Sequence, residues 1–211
     1  MNNEVNNWDN LWSKGISSSW IEDKIWKLHH NEIFEIYQKI LDKLGIKNPK
    51  VIELGCGSAE LTARIMRKYG GSATLVDNSK DALVLASKAF KEYKLKARLV
   101  KKDLFDFEPE EKFDIVHSEG LIEHFLNENQ KNIVNVHKSF LKKNGFLLIC
   151  VPRPAWYYKI AKWILEKTNK WPFGFEKAMT KYELKKALEN CDLKVLKFLE
   201  HSRYSFALAK I

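Results

Sequence analysis

The chain has 211 residues, 45% of them apolar and 30% charged, with a formal net charge of +9. That length suits one domain with a substantial core, and the apolar fraction excludes disorder for most of it. The polar start MNNEVNNWDN leads into no hydrophobic stretch, and the longest strongly apolar run, 146–152, is far too short to span a bilayer, so a soluble, cytoplasmic protein is expected.

In chain order, Ile21, Ile25, Leu28, Ile33, Ile36, Tyr37, Ile40, Leu41 and Leu44 form a helical stripe over 20–44 that Gly45 stops. Asn48-Pro49 turns the chain into a strand over 51–54, and Ser58 is placed to cap a helix running through Tyr69. A second strand (73–76), a helix (80–93), a third strand (97–100), a fourth strand (113–117), a helix (128–141) and a fifth strand (145–151) follow. Short apolar strands alternating with amphipathic helices predict an α/β doubly wound sheet, parallel, with helices on both faces. The rhythm then changes. Thr180 caps a helix to Asn190 with Glu183 at the capping-box position, and strands 193–199 and 204–209 lie too close for a crossover helix, which predicts an antiparallel hairpin.

The turn after the first strand carries Gly55 and Gly57, where missing side chains let backbone N–H groups approach a ligand. A dinucleotide fingerprint wants a third glycine at 60; Glu60 stands there, which is wrong for a diphosphate, and no P-loop lysine follows. A phosphate-free ligand fits better. Asp77 at the end of the second strand is placed to accept both hydroxyls of a ribose. Asp103 after the third is placed for an adenine amino group, with Leu104 against the ring, and Glu53 supplies negative charge for a cationic tail. Adenosine with a cationic, phosphate-free tail describes S-adenosylmethionine (SAM).

ELGCGSA (53–59), LVDNS (75–79), KKDLFDF (101–107), FDIVHSEGLIEH (113–124) and LKKNGFLLICVP (141–152) resemble, in order and spacing, the successive motifs of class I SAM-dependent methyltransferases. The likeness is greatest to the small-molecule, type 11-like group with a Glu-His pair after the fourth strand. It implies a seven-stranded Rossmann-like sheet of order 3-2-1-4-5-7-6 with strand 7 antiparallel, SAM as methyl donor and S-adenosylhomocysteine (SAH) as product. It also implies a cofactor pocket of Glu53, Gly55, Cys56, Gly57, Asp77, Asn78, Asp103 and Leu104, with backbone from Ser118 and Glu119 near the methionine part. Ala59 replaces the last glycine of the family pattern, a mild departure because alanine still allows close approach. On this reading the single domain divides into a helical cap (1–47), a cofactor-binding core (48–151), a lid (152–179) and a closing helix and hairpin (180–211).

Transfer from a sulfonium is an in-line displacement, so alignment dominates and a base serves only an acceptor that must lose a proton. His124 is the first candidate base, followed by Glu119 and Glu123; a structural hydrogen bond closing the loop is the other role open to His124. The remaining histidines lack metal-ligand spacing, and Cys56, Cys150 and Cys191 are scattered, so no metal and no disulfide is expected. Residues 152–179 set Trp156, Tyr157, Tyr158, Trp163, Trp171, Phe173 and Phe175 among six cations and two acids, which reads as an acceptor lid with Arg153, Trp156, Tyr157 and Tyr158 as contacts. Trp8, Trp12 and Trp20 are expected to assist it. The lid fits a small amphipathic or anionic acceptor, or a helix lying on an anionic membrane.

An RNA substrate tracked by the lysines is a rival. It is weakened because 114–120 read DIVHSEG, not the Asn/Asp-Pro-Pro-aromatic motif of base-amine methylation, and because nearly all the positive charge is lysine, without arginine's bidentate fork. A non-catalytic SAM-binding module is a third reading, and oligomeric state is not legible.

Overall fold

The computed structural model describes residues 8–13 and 20–211, and the side chains of these except at 9, 10 and 20–29. The side chains of Trp20, Ile21, Ile25 and Leu28, expected on a lid or an apolar stripe, therefore lie outside the described residues. A short helix α1 (Trp8–Ser13) precedes the long α2 (Trp20–Lys43), whose Ile33, Tyr37 and Leu41 are fully buried and whose end is followed by Gly45 at φ 64°.

The core alternates β1 (Lys50–Leu54), α3 (Glu60–Tyr69), β2 (Ser72–Asp77), α4 (Lys80–Glu92), β3 (Arg98–Lys101), β4 (Phe113–Glu119), α5 (Asn127–Phe140) and β5 (Leu141–Pro152). After β5 come α6 (Trp156–Lys167), α7 (Lys181–Glu189), β6 (Lys194–Glu200) and β7 (Tyr204–Lys210). The seven strands form one sheet in the order β3-β2-β1-β4-β5-β7-β6, with β7 antiparallel to both neighbours and the others parallel. The expected sheet is therefore the observed one.

Strand alternation divides the core. Along β5, Leu148 and Cys150 join Ile33, Leu41, Leu61 and Ile65 under α2 and α3, while Leu147, Ile149 and Val151 join Ile133, Val134, Leu184 and Leu188 under α5 and α7. Successive residues point to opposite faces, so a strand apolar at every position needs helices on both sides.

Two local expectations are corrected. Ser58 does not cap α3: the N-cap is Ala59 at φ 52°, with no side-chain cap bond, because the glycine turn consumes the residues before it. The fifth strand begins at Leu141, not Gly145, since α5 ends at Phe140 and Leu141 pairs with Phe113. The Thr180–Glu183 capping box is complete, with Thr180 Oγ1 accepting from Glu183 N at 3.2 Å and Glu183 accepting from Thr180 N at 2.9 Å.

Candidate functional site

The parallel strands β1, β2 and β4 all end at one edge of the sheet, and antiparallel β7 starts there, Tyr204 pairing with Pro152 at the end of β5. A cavity of about 1090 Å³ lies across that edge. A site for one drug-sized ligand spans about 300–1,000 Å³, so donor and acceptor have room together.

The donor end is a backbone cradle. Gly55 and Gly57 hold φ of 64° and 50°, and a Cβ on either would press on Leu121 (2.9 Å) or on the Trp12 ring (2.6 Å). Asp77 fixes the turn, one carboxylate oxygen accepting from Gly57 N and the other from Ser79 N, both at 2.9 Å. A carboxylate offers about four lone-pair sites in all, which suits it to holding several donors at once. Asn78, Asp103 and Leu104 border the same end; Asp103 also accepts from Phe105 N at 2.9 Å, the turn-acid role, and is exposed to the cavity side.

Glu53 is buried behind the glycines and accepts from Thr62 Oγ1 at 2.5 Å. Since that hydroxyl's proton goes to Glu53, His117 Nε2, 2.8 Å from Thr62 Oγ1, must donate, which leaves His117 Nδ1 as the buried atom without a partner. Burial holds the His117 ring neutral, with its pKa down to about 3, and burial together with Glu119 and Asp77 pushes the Glu53 carboxyl well up against the opposing Thr62 bond. Cys56 also borders the cavity, but its thiol is buried and pushed up, which makes it inert.

At the other end His124 Nδ1 lies 2.6 Å from the Phe175 carbonyl. A carbonyl only accepts, so Nδ1 carries the proton and Nε2 keeps a lone pair. Burial and the nearby Lys162 cation lower the His124 pKa, against carbonyl contacts that raise it, so the ring is neutral at pH 7. Trp8 stands edge-on at 4.9 Å. The structural role foreseen for His124, a hydrogen bond closing the loop, is the one this contact makes. Glu119 ends β4 at the middle of the cavity.

Tyr157 and Tyr158 line the acceptor end with Trp171, Phe173 and Phe175. Tyr158 donates to Glu176, whose carboxyl burial raises, and Lys162 donates to the Glu176 carbonyl. Glu123 is fully buried, neither oxygen has a hydrogen-bond partner, and burial followed by Glu176 pushes its pKa well up.

Three expected residues are elsewhere. Ser118 does not border the cavity: its hydroxyl donates to His137 Nε2 at 2.9 Å, because His137 Nδ1 spends its proton on the Ile133 carbonyl. Arg153 is exposed and engaged through its backbone N with the Arg203 carbonyl (2.9 Å), and Trp156, 74% exposed, points away. The lid lysines expected to hold an anionic group do not border the cavity. Among the described residues the lining carries seven carboxyl groups (Glu53, Glu60, Asp77, Asp103, Glu119, Glu123, Glu176), one guanidinium and no lysine, and that guanidinium, Arg203, donates to Glu32.

Glu176, Arg203 and Tyr204 were not anticipated. For the last two a signal existed, because an antiparallel strand beside β5 must begin where β5 ends.

Residues 51–145 match the model of a family described as a methyltransferase domain. No curated protein matches the chain. Among solved structures, magnesium protoporphyrin IX methyltransferase from Synechocystis PCC 6803 with bound SAH is similar at 14% identity and a TM-score of 0.74, over 97% of this chain and 93% of that one. A SAM-dependent methyltransferase from Clostridium acetobutylicum ATCC 824 gives 16%, 0.65, 98% and 98%. An O-methyltransferase family 2 protein from Planctomyces limnophilus DSM 3776, in complex with apigenin, gives 16%, 0.65, 77% and 51%.

Proposed function

We propose that the chain, whose residues 51–145 match a methyltransferase-domain model, is a class I SAM-dependent methyltransferase that methylates a small amphipathic acceptor, neutral or cationic, in the aromatic end of the cavity. The observation that carries this reading is the continuity of one cavity from Asp77 and the glycine cradle to His124 and the lid rings.

SAM supplies a methyl on a positively charged sulfur with a neutral thioether as leaving group. The residues present fit it: glycines a Cβ would obstruct, Asp77 for the ribose, Asp103 and Leu104 for the adenine, and Glu53 and Glu119 for positive charge. The chain's task is alignment, and holding a nucleophile in line is worth up to about 7–11 kcal/mol. His124 Nε2 takes the proton of an acceptor hydroxyl or amine, and Phe175 keeps the ring in the required tautomer. Glu119, at the end of β4, stands between the two halves. The lid rings exclude water and stack on a planar or apolar body.

An anionic acceptor would meet the carboxyl groups of Glu119, Glu123 and Glu176. An RNA backbone would meet the same acids, and the lid lysine nearest the cavity, Lys162, is already bound to Glu176 and paired with Glu166 at 3.7 Å.

Calorimetric titration with SAM and SAH, followed by transfer of labelled methyl into small-molecule and RNA fractions of an extract, tests the proposal. Micromolar binding with label in the small-molecule fraction is expected. Absence of SAM binding at millimolar concentration would sink the donor assignment, binding without transfer would leave a non-catalytic module, and label confined to RNA would reverse the acceptor class.

A further inference from the structure

Helix α6 forms the outer wall of the acceptor end, and none of its residues is buried. Trp156, Ile160, Trp163 and Ile164 are 74, 51, 61 and 48% exposed. At about 100° per residue these four fall within one stripe; of the residues that border the cavity, Tyr158 falls on the opposite side, while Ala161 and Tyr157 fall on the flank beyond Ile164. Elsewhere among the described residues the exposed large apolar side chains, Val84, Leu99, Phe105, Leu126, Tyr182, Leu196 and Ile211, come one from each of separate segments. Scattered apolar residues need no explanation; a contiguous stripe does.

The surroundings of the stripe specify what covers it. Lys159, Lys167 and Lys170 are exposed, and none is in an ion pair among the described residues. The one acid of the helix, Glu166, is held by Lys162. Indole rings with aliphatic side chains between free lysines match the boundary between acyl chains and anionic headgroups, where tryptophan is favoured and lysine stems reach up to phosphate. Among the described residues no helix is long and apolar enough to cross a membrane, so the contact lies in the interface.

We propose that the outer face of α6 docks the protein on an anionic lipid bilayer, with Trp156, Ile160, Trp163 and Ile164 entering the headgroup–acyl boundary and Lys159, Lys167 and Lys170 facing lipid phosphate. The acceptor end then opens beside the lipid surface, since the helix that lies on it is also the cavity wall. This placement rests on the methyltransferase reading only in what it says about acceptor delivery; the docking itself does not.

The test is sedimentation of the full chain with vesicles of phosphatidylcholine alone and of phosphatidylcholine with phosphatidylglycerol, over a salt series. Partitioning onto the anionic vesicles that weakens with salt is expected, falling about tenfold or more in Ile160→Glu/Trp163→Glu. Neither residue borders the cavity, so SAM affinity by calorimetry should stay that of the natural chain, which reports that the variant is folded. If that variant fails to fold, Lys159→Glu/Lys167→Glu/Lys170→Glu replaces it with the same expected loss. No partitioning of the natural chain, equal partitioning of the variants, or a dimer in solution that Ile160→Glu/Trp163→Glu dissociates while vesicles are ignored would each overturn the proposal. Vesicle binding without SAM binding would leave docking standing and bring down the methyltransferase reading instead.

Discussion

At the donor end of the cavity, contacts come from backbone held by neighbouring strands: Gly55 and Gly57 sit where β1 stops, and Asp77 at the end of β2 holds the Gly57 N–H. At the acceptor end they come from side chains on segments far apart in sequence, among them His124, Tyr158, Glu176 and Tyr204. Sheet geometry leaves the donor end little freedom. The acceptor end is held by single bonds such as His124 to Phe175 and Tyr158 to Glu176, each made by one residue. Substitutions at one end should therefore alter one substrate and spare the other, and that separability can be tested.

The largest effect is expected at the acceptor end. His124→Gln should cut turnover about 10²–10⁴-fold, the usual worth of a general base, with SAM affinity unchanged. A parallel loss of SAM affinity would show that the two ends are not independent. Next is Asp77→Ala, expected to weaken SAM about 100-fold in calorimetry through loss of charge-assisted hydrogen bonds to the ribose and of the Gly57 N–H partner. Unchanged affinity would remove Asp77 from the ribose.

A smaller effect comes from pH. The Glu53 carboxyl is pushed well up, chiefly by burial, and a cationic ligand favours its ionised form, so SAM affinity should fall as pH drops, by at most about tenfold per unit. An affinity flat from pH 9 to 5 would detach Glu53 from the ligand's charge.

The smallest effect concerns stability. Glu123 keeps its proton in the folded state above the pH at which the unfolded chain loses it, so it lowers stability progressively as pH rises through that window. Glu123→Gln should raise the melting temperature by a few degrees at pH 9 and by less at pH 5. The opposite slope belongs to His117 and His137, pushed by burial to about 3 and about 4: the unfolded chain binds protons below about 6.5 that the folded one refuses, so stability falls as pH drops from there toward 4. A melting temperature for Glu123→Gln that tracks the natural chain at every pH would show that this carboxyl finds a partner in solution.

The same asymmetry explains what was legible. The alternation of strands and helices was readable from runs of apolar residues, and the terminal hairpin from its short connection, whereas the strand order came only with the family resemblance; the glycine turn and Asp77 stand out as two glycines and a strand-end acid, all local signals. Of the four expected lid contacts Tyr157 and Tyr158 border the cavity and Arg153 and Trp156 do not, for a physical reason. Helical periodicity groups Trp156, Ile160, Trp163 and Ile164 on one face but carries no information about which face turns inward, and here Tyr158 and Ala161 do. The Ser118 hydroxyl gave no signal of its partner, since strand alternation points it at His137 in α5, 19 residues away. Glu176 gave no signal, since its place beside Glu123 depends on how 168–179 folds back across the sheet edge.

The Trp12 ring lies where a side chain at position 57 would have to be, so helix α1 covers the glycine turn to which the proposed function assigns the donor. Loading SAM and shedding SAH then share a passage with that helix, and the residence time of the spent nucleoside depends on how readily residues 8–13 lift. Exchange of this kind commonly limits turnover in enzymes that close over their substrates. Trp12→Ala should shorten that residence time without touching the reacting atoms, which makes helix α1 a determinant of the enzyme's speed.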